Sequence, residues 1–324
     1  MSDRDGPAGS DDDRGAVDDD TVDPAADAFD PAAAFALLGD ATRLRILREL
    51  WEAQRDADDL GGGGVPFETL RDRAGVDDSG RFNYHLGRLT DRFVERTDGG
   101  YRLRFAGSRV VGALLEGTYA PGDDLTMPVD GACWACEGDL ELRYADERVH
   151  VRCADCGVDT TDFGCPPGVL AGRPAEEVPR VVDTHLRTLL ARARRGICPN
   201  CSGPMRVSVG PAGAAPERRD DDAEAAEDED APVATVRCDR CGDRIRAGLP
   251  TVLFDRPAVT AFCYDRGLDP EAKPLWVVLD GLDAEATALG GDPYRASVTF
   301  HAGDDALTVT VDADGAVVAV EETA

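Results

Sequence analysis

The fold of this chain is decided by two matching stretches, GACWACEG (Gly131–Gly138) and GICPNCSG (Gly196–Gly203), which share the pattern G-x-C-x-x-C-x-G. Each is followed by a second cysteine pair in the pattern V-R-C-x-x-C-G, at Val151–Gly157 and at Val236–Gly242. A third motif, V-L-x-x-R-P-A, closes both copies, at Val169–Ala175 and Val252–Ala258. Three matched segments in the same order indicate an internal duplication.

The paired cysteines predict two metal sites. The first quartet is Cys133, Cys136, Cys153 and Cys156, and the second is Cys198, Cys201, Cys238 and Cys241. Two C-x-x-C turns brought together by a hairpin form a closed shell of four sulfurs, which is typical of structural zinc and leaves no position for a catalytic water. We therefore expect two structural Zn²⁺ ions in two zinc ribbons. Thiol–disulfide exchange and an iron–sulfur cluster are the rival interpretations.

The segments around the quartets define the C-terminal organisation. We expect a first zinc-ribbon unit with a helix at 131–195, a second unit at 196–270, and a β-rich segment at 271–324. Within that segment, apolar and polar residues alternate over 297–320, which predicts a β-meander. An acidic insertion at 210–232 lengthens the second unit, and its composition predicts a solvated loop. Cys165 and Cys263 lie outside the quartets and are interpreted as buried small apolar residues.

Upstream of the ribbons, the pattern changes to short helices. Pro31 begins a first predicted helix that ends at Leu38, and Asp40 is the expected N-cap of a second, ATRLRILRELWEAQ (41–54). A third follows in PFETLRDRAGV (66–76), and Ser79 is the expected N-cap of a fourth, GRFNYHLGRLT (80–90). Within the fourth helix, Phe82, Leu86 and Leu89 recur on one face and should be buried.

The fourth helix precedes a predicted β-hairpin (93–105) and a closing helix (107–119), which is expected to bury Val110, Val111, Leu114 and Leu115. Helices followed by a basic hairpin suggest a winged helix-turn-helix domain, predicted here over 31–119. Residues 68–109 carry nine arginines and seven acidic side chains, a local excess of positive charge. The expected DNA contacts are Arg81, Asn83, Tyr84 and Arg88 on the fourth helix and Arg96 and Arg102 on the hairpin. The alternative is a solvated helix face on a protein-interaction module.

This region resembles the ArsR-type winged-helix regulators. LLGDATRLRILREL (Leu37–Leu50) looks like the first two helices of that family, and SGRFNYHLGRL (Ser79–Leu89) looks like its recognition helix, which typically ends in His-Leu-x-x-Leu. Together with the following GYRLRFAGSRVVGALLEG and the ribbons, it resembles a haloarchaeal branch of the family. The resemblance implies sequence-specific binding of double-stranded DNA by a homodimer whose first and last helices form the interface. Metal-sensing members place cysteines near the third helix, and this chain has none there.

The charge balance is strongly acidic. The 64 acidic and 35 basic residues of the 324-residue chain give a formal net charge of −29, and Lys273 is the one lysine. An acidic tail predicted to be disordered (1–30) and residues 217–230 supply −16 of this, so acidic tails explain only part of it. The remainder indicates a protein adapted to molar salt. Because such salt screens charges to within about 3 Å, net charge does not decide whether the chain binds nucleic acid.

The sequence favours a cytoplasmic location, since it lacks an apolar leader and any run of about 20 apolar residues. No arrangement of nucleophile, base and acid points to an enzyme. The predicted fold class is α+β, with a winged helix-turn-helix, two duplicated zinc ribbons and a β-rich end. The leading hypothesis is a gene-specific DNA-binding regulator. The alternative is an adaptor or initiation-factor-like protein that contacts the transcription machinery, and the ribbons could equally bind more DNA or a ligand.

Overall fold

In the computed structural model, residues 31–56, 63–120, 122–214 and 230–323 are described. The tail 1–30 and most of the acidic insertion lie outside these residues. The chain divides into two units, Met1–Val111 and Gly112–Ala324. It is a mixed α+β structure in which all four β-sheets are antiparallel over the described residues.

The first unit opens with four helices. They are α1 (Pro31–Leu38), α2 (Ala41–Asp56), α3 (Phe67–Arg73) and α4 (Ser79–Leu89). The predicted bounds of α1 are confirmed, and so is the cap of α2, because the Asp40 carboxylate accepts the amides of Thr42 (2.9 Å) and Arg43 (3.1 Å). Asp40 also lies 3.5 Å from Nδ1 of the buried His85 on α4. The same carboxylate therefore starts one helix and contacts another.

The start of α4 differs from the prediction by one residue. Asp78 is the N-cap, and its carboxylate accepts the amide of Arg81 at 2.8 Å, while Ser79 is the first helical residue. Both residue types cap helices well, so the sequence alone does not choose between them. The apolar face is confirmed, since Phe82, Leu86 and Leu89 are buried.

After α4 the chain forms a hairpin of β1 (Val94–Thr97) and β2 (Gly100–Leu103), and then α5 (Phe105–Glu116). Val65 exchanges two backbone hydrogen bonds with Tyr101, of 2.7 and 2.9 Å, which joins the segment before α3 to the hairpin. On α5, Val111 is buried, but Leu114 and Leu115 are exposed, contrary to the prediction that this helix buries both leucines.

The second unit begins with the first ribbon sheet. Its strands are β3 (Leu125–Ala132), β4 (Asp139–Ala145), β5 (Arg148–Cys153) and β6 (Asp159–Gly164), in that order across the sheet. Two 3₁₀ turns, Pro167–Val169 and Ala175–Glu177, lead into α6 (Val178–Arg194). Val178, Val182 and Leu186 are buried along α6, as the apolar spacing predicts.

The second ribbon repeats this plan with three strands. They are β7 (Met205–Pro211), β8 (Pro232–Cys238) and β9 (Arg244–Gly248), followed by the helices α7 (Leu249–Leu253) and α8 (Pro257–Asp265). A 3₁₀ turn at Ala212–Ala214 follows β7. Because β7 includes Gly210 and Pro211 and β8 begins at Pro232, the insertion is shorter than the 210–232 predicted from composition.

The C-terminal part contains α9 (Leu275–Gly281) and a four-stranded meander. Its strands are β10 (Ala284–Gly290), β11 (Arg295–Ala302), β12 (Asp305–Asp312) and β13 (Val317–Thr323). The alternation in the sequence predicted the last three strands, and their inner face buries Val298, Phe300 and Val309.

The parts of the second unit share one hydrophobic cluster. It includes Leu142 from the first ribbon, Val182 from α6, Leu253 from α7 and Val298 from the meander. The segments that the sequence separates between 131 and 324 therefore pack around a common core. None of the helices in the described part of the chain combines the length and apolarity that a bilayer crossing requires.

A buried carboxylate, that of Asp183, connects α6 to the start of α9. Asp183 accepts the Leu275 amide at 2.7 Å and the Arg187 guanidinium at 2.7 Å. Asp183→Ala leaves the buried Leu275 amide without its acceptor and Arg187 without its carboxylate partner, so we expect the free energy of unfolding to fall by about 2–4 kcal/mol. Urea unfolding measures this. Asp183→Asn keeps one acceptor and should lose less, whereas equal losses for the two variants would contradict this role of the charge.

Candidate metal centres and nucleic-acid interface

Four backbone turns of the same geometry hold the eight cysteines. In each turn, the amide of the first cysteine donates to the carbonyl five residues later, and its own carbonyl accepts from the amide four residues later. These hydrogen bonds are 2.8–3.1 Å long in the turns that begin at Cys133, Cys153, Cys198 and Cys238. The duplication seen in the sequence is therefore a duplication of turn geometry.

Each turn requires a left-handed residue directly after its second cysteine. Gly157 and Gly242 supply it at φ 77° and 76°, and Glu137 and Ser202 adopt it at 59° and 57°. Side chains other than glycine seldom take this conformation. Its adoption by Glu137 and Ser202 indicates that the cysteine turn, rather than local preference, determines the backbone there.

The turns bring the sulfurs together in two groups of four. In each group all ligand atoms lie within 4.8 Å of one another. The Sγ atoms of Cys133 and Cys156 are 3.6 Å apart, and those of Cys201 and Cys238 are 3.5 Å apart. A disulfide needs about 2.05 Å. Four sulfurs around a tetrahedral metal, with bonds of about 2.3 Å, lie about 3.8 Å apart. Both quartets therefore fit a metal ion, and the structure brings together all eight cysteines expected as ligands.

The thiols of a quartet differ in pKa when no metal is bound. The Cys156 amide lowers the pKa of Cys153 to about 7, and the Cys241 amide lowers that of Cys238 to about 7. The Gly138 amide lowers the pKa of Cys136, but the neighbouring thiols outweigh it and raise that pKa to about 12. Without a metal, a quartet does not hold four thiolates at neutral pH. A bound cation would make four thiolates favourable.

The other two cysteines belong to neither quartet. Cys165 and Cys263 are buried, and burial raises the pKa of the Cys165 thiol to about 12. Cys165 follows the last strand of the first ribbon as Leu249 follows that of the second, and both are 1% exposed. This position agrees with the prediction that Cys165 acts as a small apolar residue.

On α4, the four residues predicted to contact DNA are all exposed. Arg81, Tyr84 and Arg88 are spaced i, i+3 and i+7 and so share one face, and Tyr84 is 60% exposed. Asn83 points about a third of a turn away from them. His85 is 8% exposed and belongs to the buried face, a position that the spacing from Phe82 and Leu89 could have predicted.

The structure separates the two hairpin arginines. Arg96 is paired with Tyr101 in the hairpin, and Arg102 is paired with Glu95, so the arginines lie on opposite faces. Arg102 also forms an ion pair with Glu95. One face of the hairpin therefore presents Arg96, and on the other a carboxylate neutralises Arg102.

Large apolar side chains are exposed on the first and last helices of this region. Phe35 on α1 is 69% exposed, and Phe105 and Leu115 on α5 are 82% and 58% exposed. Single exposed apolar residues are ordinary, but aromatic side chains of this size are enriched where proteins meet other proteins.

Two family models match the chain. One, Domain of unknown function (DUF7347), matches residues 31–114, and the other, Domain of unknown function (DUF7351), matches residues 130–317, more than half of the chain. No curated protein matches. Among solved structures, the Bacillus megaterium YpeB C-terminal domain matches at 9% identity and a TM-score of 0.18, over 68% of this chain and 98% of that chain. A TM-score this low carries no argument about fold or function.

Proposed function

The chain belongs to the family of the Domain of unknown function (DUF7351), and from its own residues we propose that it is a sequence-specific DNA-binding transcription regulator with two structural zinc ions. The observation that carries the proposal is the surface of α4. Its apolar face is buried, and its exposed face presents Arg81, Tyr84 and Arg88. Two guanidinium groups beside an aromatic ring suit the base edges and phosphates of a major groove.

The order of elements supports a winged helix-turn-helix of the ArsR type. α3 and α4 are separated by the short connection 74–78, and a two-stranded hairpin follows α4 directly. In such a domain the second helix of the pair enters the major groove and the hairpin touches the adjacent backbone. Arg96, exposed on the hairpin, suits a phosphate contact.

A homodimer would explain the apolar side chains on α1 and α5. Phe35, Phe105 and Leu115 lie on the helices that form the dimer interface in the family that the sequence resembles. Dimers of helix-turn-helix proteins bind two half-sites about one helical turn apart, so we expect a palindromic target sequence.

Zinc is the ion that best fits the two quartets. A tetrahedral shell of four thiolates suits Zn²⁺ or an iron–sulfur centre. An iron–sulfur cluster has a core of several atoms, whereas sulfur separations of 3.5–3.7 Å suit a single ion at the centre of each quartet. Elemental analysis should find two zinc ions per chain, and the visible spectrum of the protein should show no absorption band. Iron with a coloured spectrum would contradict this assignment.

The test of DNA recognition is selection from a random duplex library with the purified, metal-loaded full chain in high salt. A regulator of this kind enriches one motif, which a dimer makes palindromic. Recovery of a library without sequence preference would contradict sequence-specific binding and would favour recruitment by protein contacts.

A further inference from the structure

The outer face of the second ribbon sheet carries a row of arginines. In the strand register, Arg206 of β7 is opposite Arg237 of β8, and Arg237 is opposite Arg244 of β9. Directly opposed residues project from the same face of an antiparallel sheet, and all three are exposed. Arg240, in the adjoining cysteine turn, is exposed as well. We call these four residues the arginine face.

The first ribbon provides an internal comparison, because its cysteines fix which positions correspond. The row that matches Arg206–Arg237–Arg244 is Glu141–Arg152–Asp159, opposed in the same way. Alternating charges attract each other across strands, whereas three like charges repel. The ribbon fold is thus built with a row of alternating charge in one copy and with a wholly positive row in the other.

The charge at Arg240, the fourth residue of the arginine face, is also opposite to that of its counterpart in the first ribbon. Arg240 lies two residues after Cys238, and the matching residue of the first ribbon, two residues after Cys153, is Asp155. Three acidic residues of the first ribbon are therefore replaced by arginine in the second, within a chain whose net charge is −29.

Arg206, at one end of the arginine face, pairs with an acidic neighbour but stays accessible to other anions. Asp239 accepts a hydrogen bond from Arg206 at 2.8 Å, but the Arg206 side chain is 78% exposed. Exposed ion pairs of this kind are weak and exchange readily with other anions. The next residues inward on this face are Ser208, Thr235 and Arg246, which add hydroxyl groups and one more positive charge.

We propose that the arginine face binds the phosphate backbone of duplex DNA, as a second contact surface beside the one proposed on α4. Adjacent strands lie about 4.8 Å apart, so the row spans about 10 Å, the axial rise of about three phosphates of one DNA strand. The preference for duplex DNA over other polyanions rests on the proposed function. The positive row itself rests on the register alone.

The test is a charge swap that gives the second ribbon the residues of the first, Arg206→Glu/Arg240→Asp/Arg244→Asp. The first ribbon carries Glu141, Asp155 and Asp159 at the matching positions, so these residue types are compatible with a ribbon sheet. Retention of both metal ions by the variant checks that it is folded. The full metal-loaded chain is titrated against fluorescent duplex DNA of random sequence over a series of salt concentrations at which its circular dichroism is unchanged. The slope of log K against log salt concentration should become shallower by about 3.

The control makes the same change in charge elsewhere, with Arg173→Glu/Arg180→Asp/Arg295→Asp, all exposed. It should leave the slope near that of the wild type. Equal slopes for the wild type and the charge swap would overturn the proposal, and so would a control that behaves like the charge swap. Tighter binding of RNA than of duplex DNA through the same residues would overturn the assignment to DNA.

Failure of the arginine-face proposal can be distinguished from failure of the proposed function. If the protein selects no motif and the charge swap weakens its binding to all DNA sequences equally, the arginine face is supported as a DNA contact. Sequence-specific regulation is then contradicted. Conversely, if the wild type and the charge swap select the same motif equally well and show the same salt dependence of binding, that result would contradict only the proposal that the arginine face binds DNA.

Discussion

Cys133→Ser is expected to release one of two metal ions and to unfold much of the second unit, whereas Cys198→Ser releases one ion with a smaller, local effect. Cys133 and Cys153 lie in the main hydrophobic cluster of that unit, together with Leu140 and Val151. Cys198 and Cys238 belong to a small separate cluster. Loss of the first metal therefore disturbs the common core, and loss of the second disturbs mainly the end of one ribbon.

The magnitude follows from the strength of such sites. Structural zinc contributes about 10–16 kcal/mol of apparent binding free energy in small peptides, as much as the whole stability of a typical domain. We expect the thermal transition of Cys133→Ser to be lost or broadened, and that of Cys198→Ser to shift downward while remaining cooperative. Metal content and near-ultraviolet circular dichroism measure both effects.

The matched control is Cys165→Ala, which removes a buried thiol that is not a ligand. It should keep two metal ions and lose about 1–2 kcal/mol of stability, as a small core substitution does. Retention of two ions by Cys133→Ser would show that the first quartet is not a metal site. A larger loss of structure in Cys198→Ser than in Cys133→Ser would contradict the assignment of the first site to the common core.

Arg81→Ala is expected to have the second large effect, on DNA recognition. An arginine that reads a guanine edge contributes about 1–3 kcal/mol of discrimination, so the preference for the selected motif over random DNA should fall about 5- to 150-fold. Fluorescence anisotropy with the two duplexes measures the ratio. The capping amide of Arg81 is a backbone group, so its hydrogen bond to Asp78 survives the substitution.

Two further variants distinguish recognition of the DNA sequence from non-specific electrostatic attraction to DNA. Arg96→Ala should weaken binding to both duplexes alike and make the salt dependence shallower by about 1, as loss of a phosphate contact does. Arg48→Ala removes an arginine from the exposed side of α2, where it pairs with Glu52, and should change neither affinity. An unchanged preference in Arg81→Ala would remove that residue from base recognition.

Where local chemistry dominates, the sequence predicted the structure closely. The ends of α1, the cap of α2 and the buried face of α4 follow from Pro31, Asp40 and the spacing of Phe82, Leu86 and Leu89. The two cysteine quartets followed from motif and spacing because the C-x-x-C turn is a local structure that a metal site requires.

The missed elements depend on pairing with distant residues. β3 contains Pro128, which is unfavourable inside a sheet, but β3 is an edge strand, where proline is tolerated. β10 has an alanine-rich sequence with little strand propensity, and its pairing with β11 determines its conformation. The same limit applies to the arginine face, because Arg206, Arg237 and Arg244 become neighbours only through the strand register.

The surface of α5 shows a different limit. Leu114 and Leu115 have the spacing of a buried face, yet both are exposed in the single chain. Periodicity identifies an apolar face but does not say whether the same chain or a second copy covers it. In the proposed homodimer, that face would be covered by the partner.

The measurement that tests the central proposal most directly is chromatin immunoprecipitation of the tagged protein in its own host, comparing the wild type with Arg81→Ala/Tyr84→Ala. Both substituted side chains are exposed, so the variant should fold normally. A sequence-specific regulator predicts a small number of sharp peaks that share one motif and disappear in the variant. Broad occupancy of promoters that survives the double substitution would contradict recognition through α4 and would identify the protein as an adaptor recruited by protein contacts.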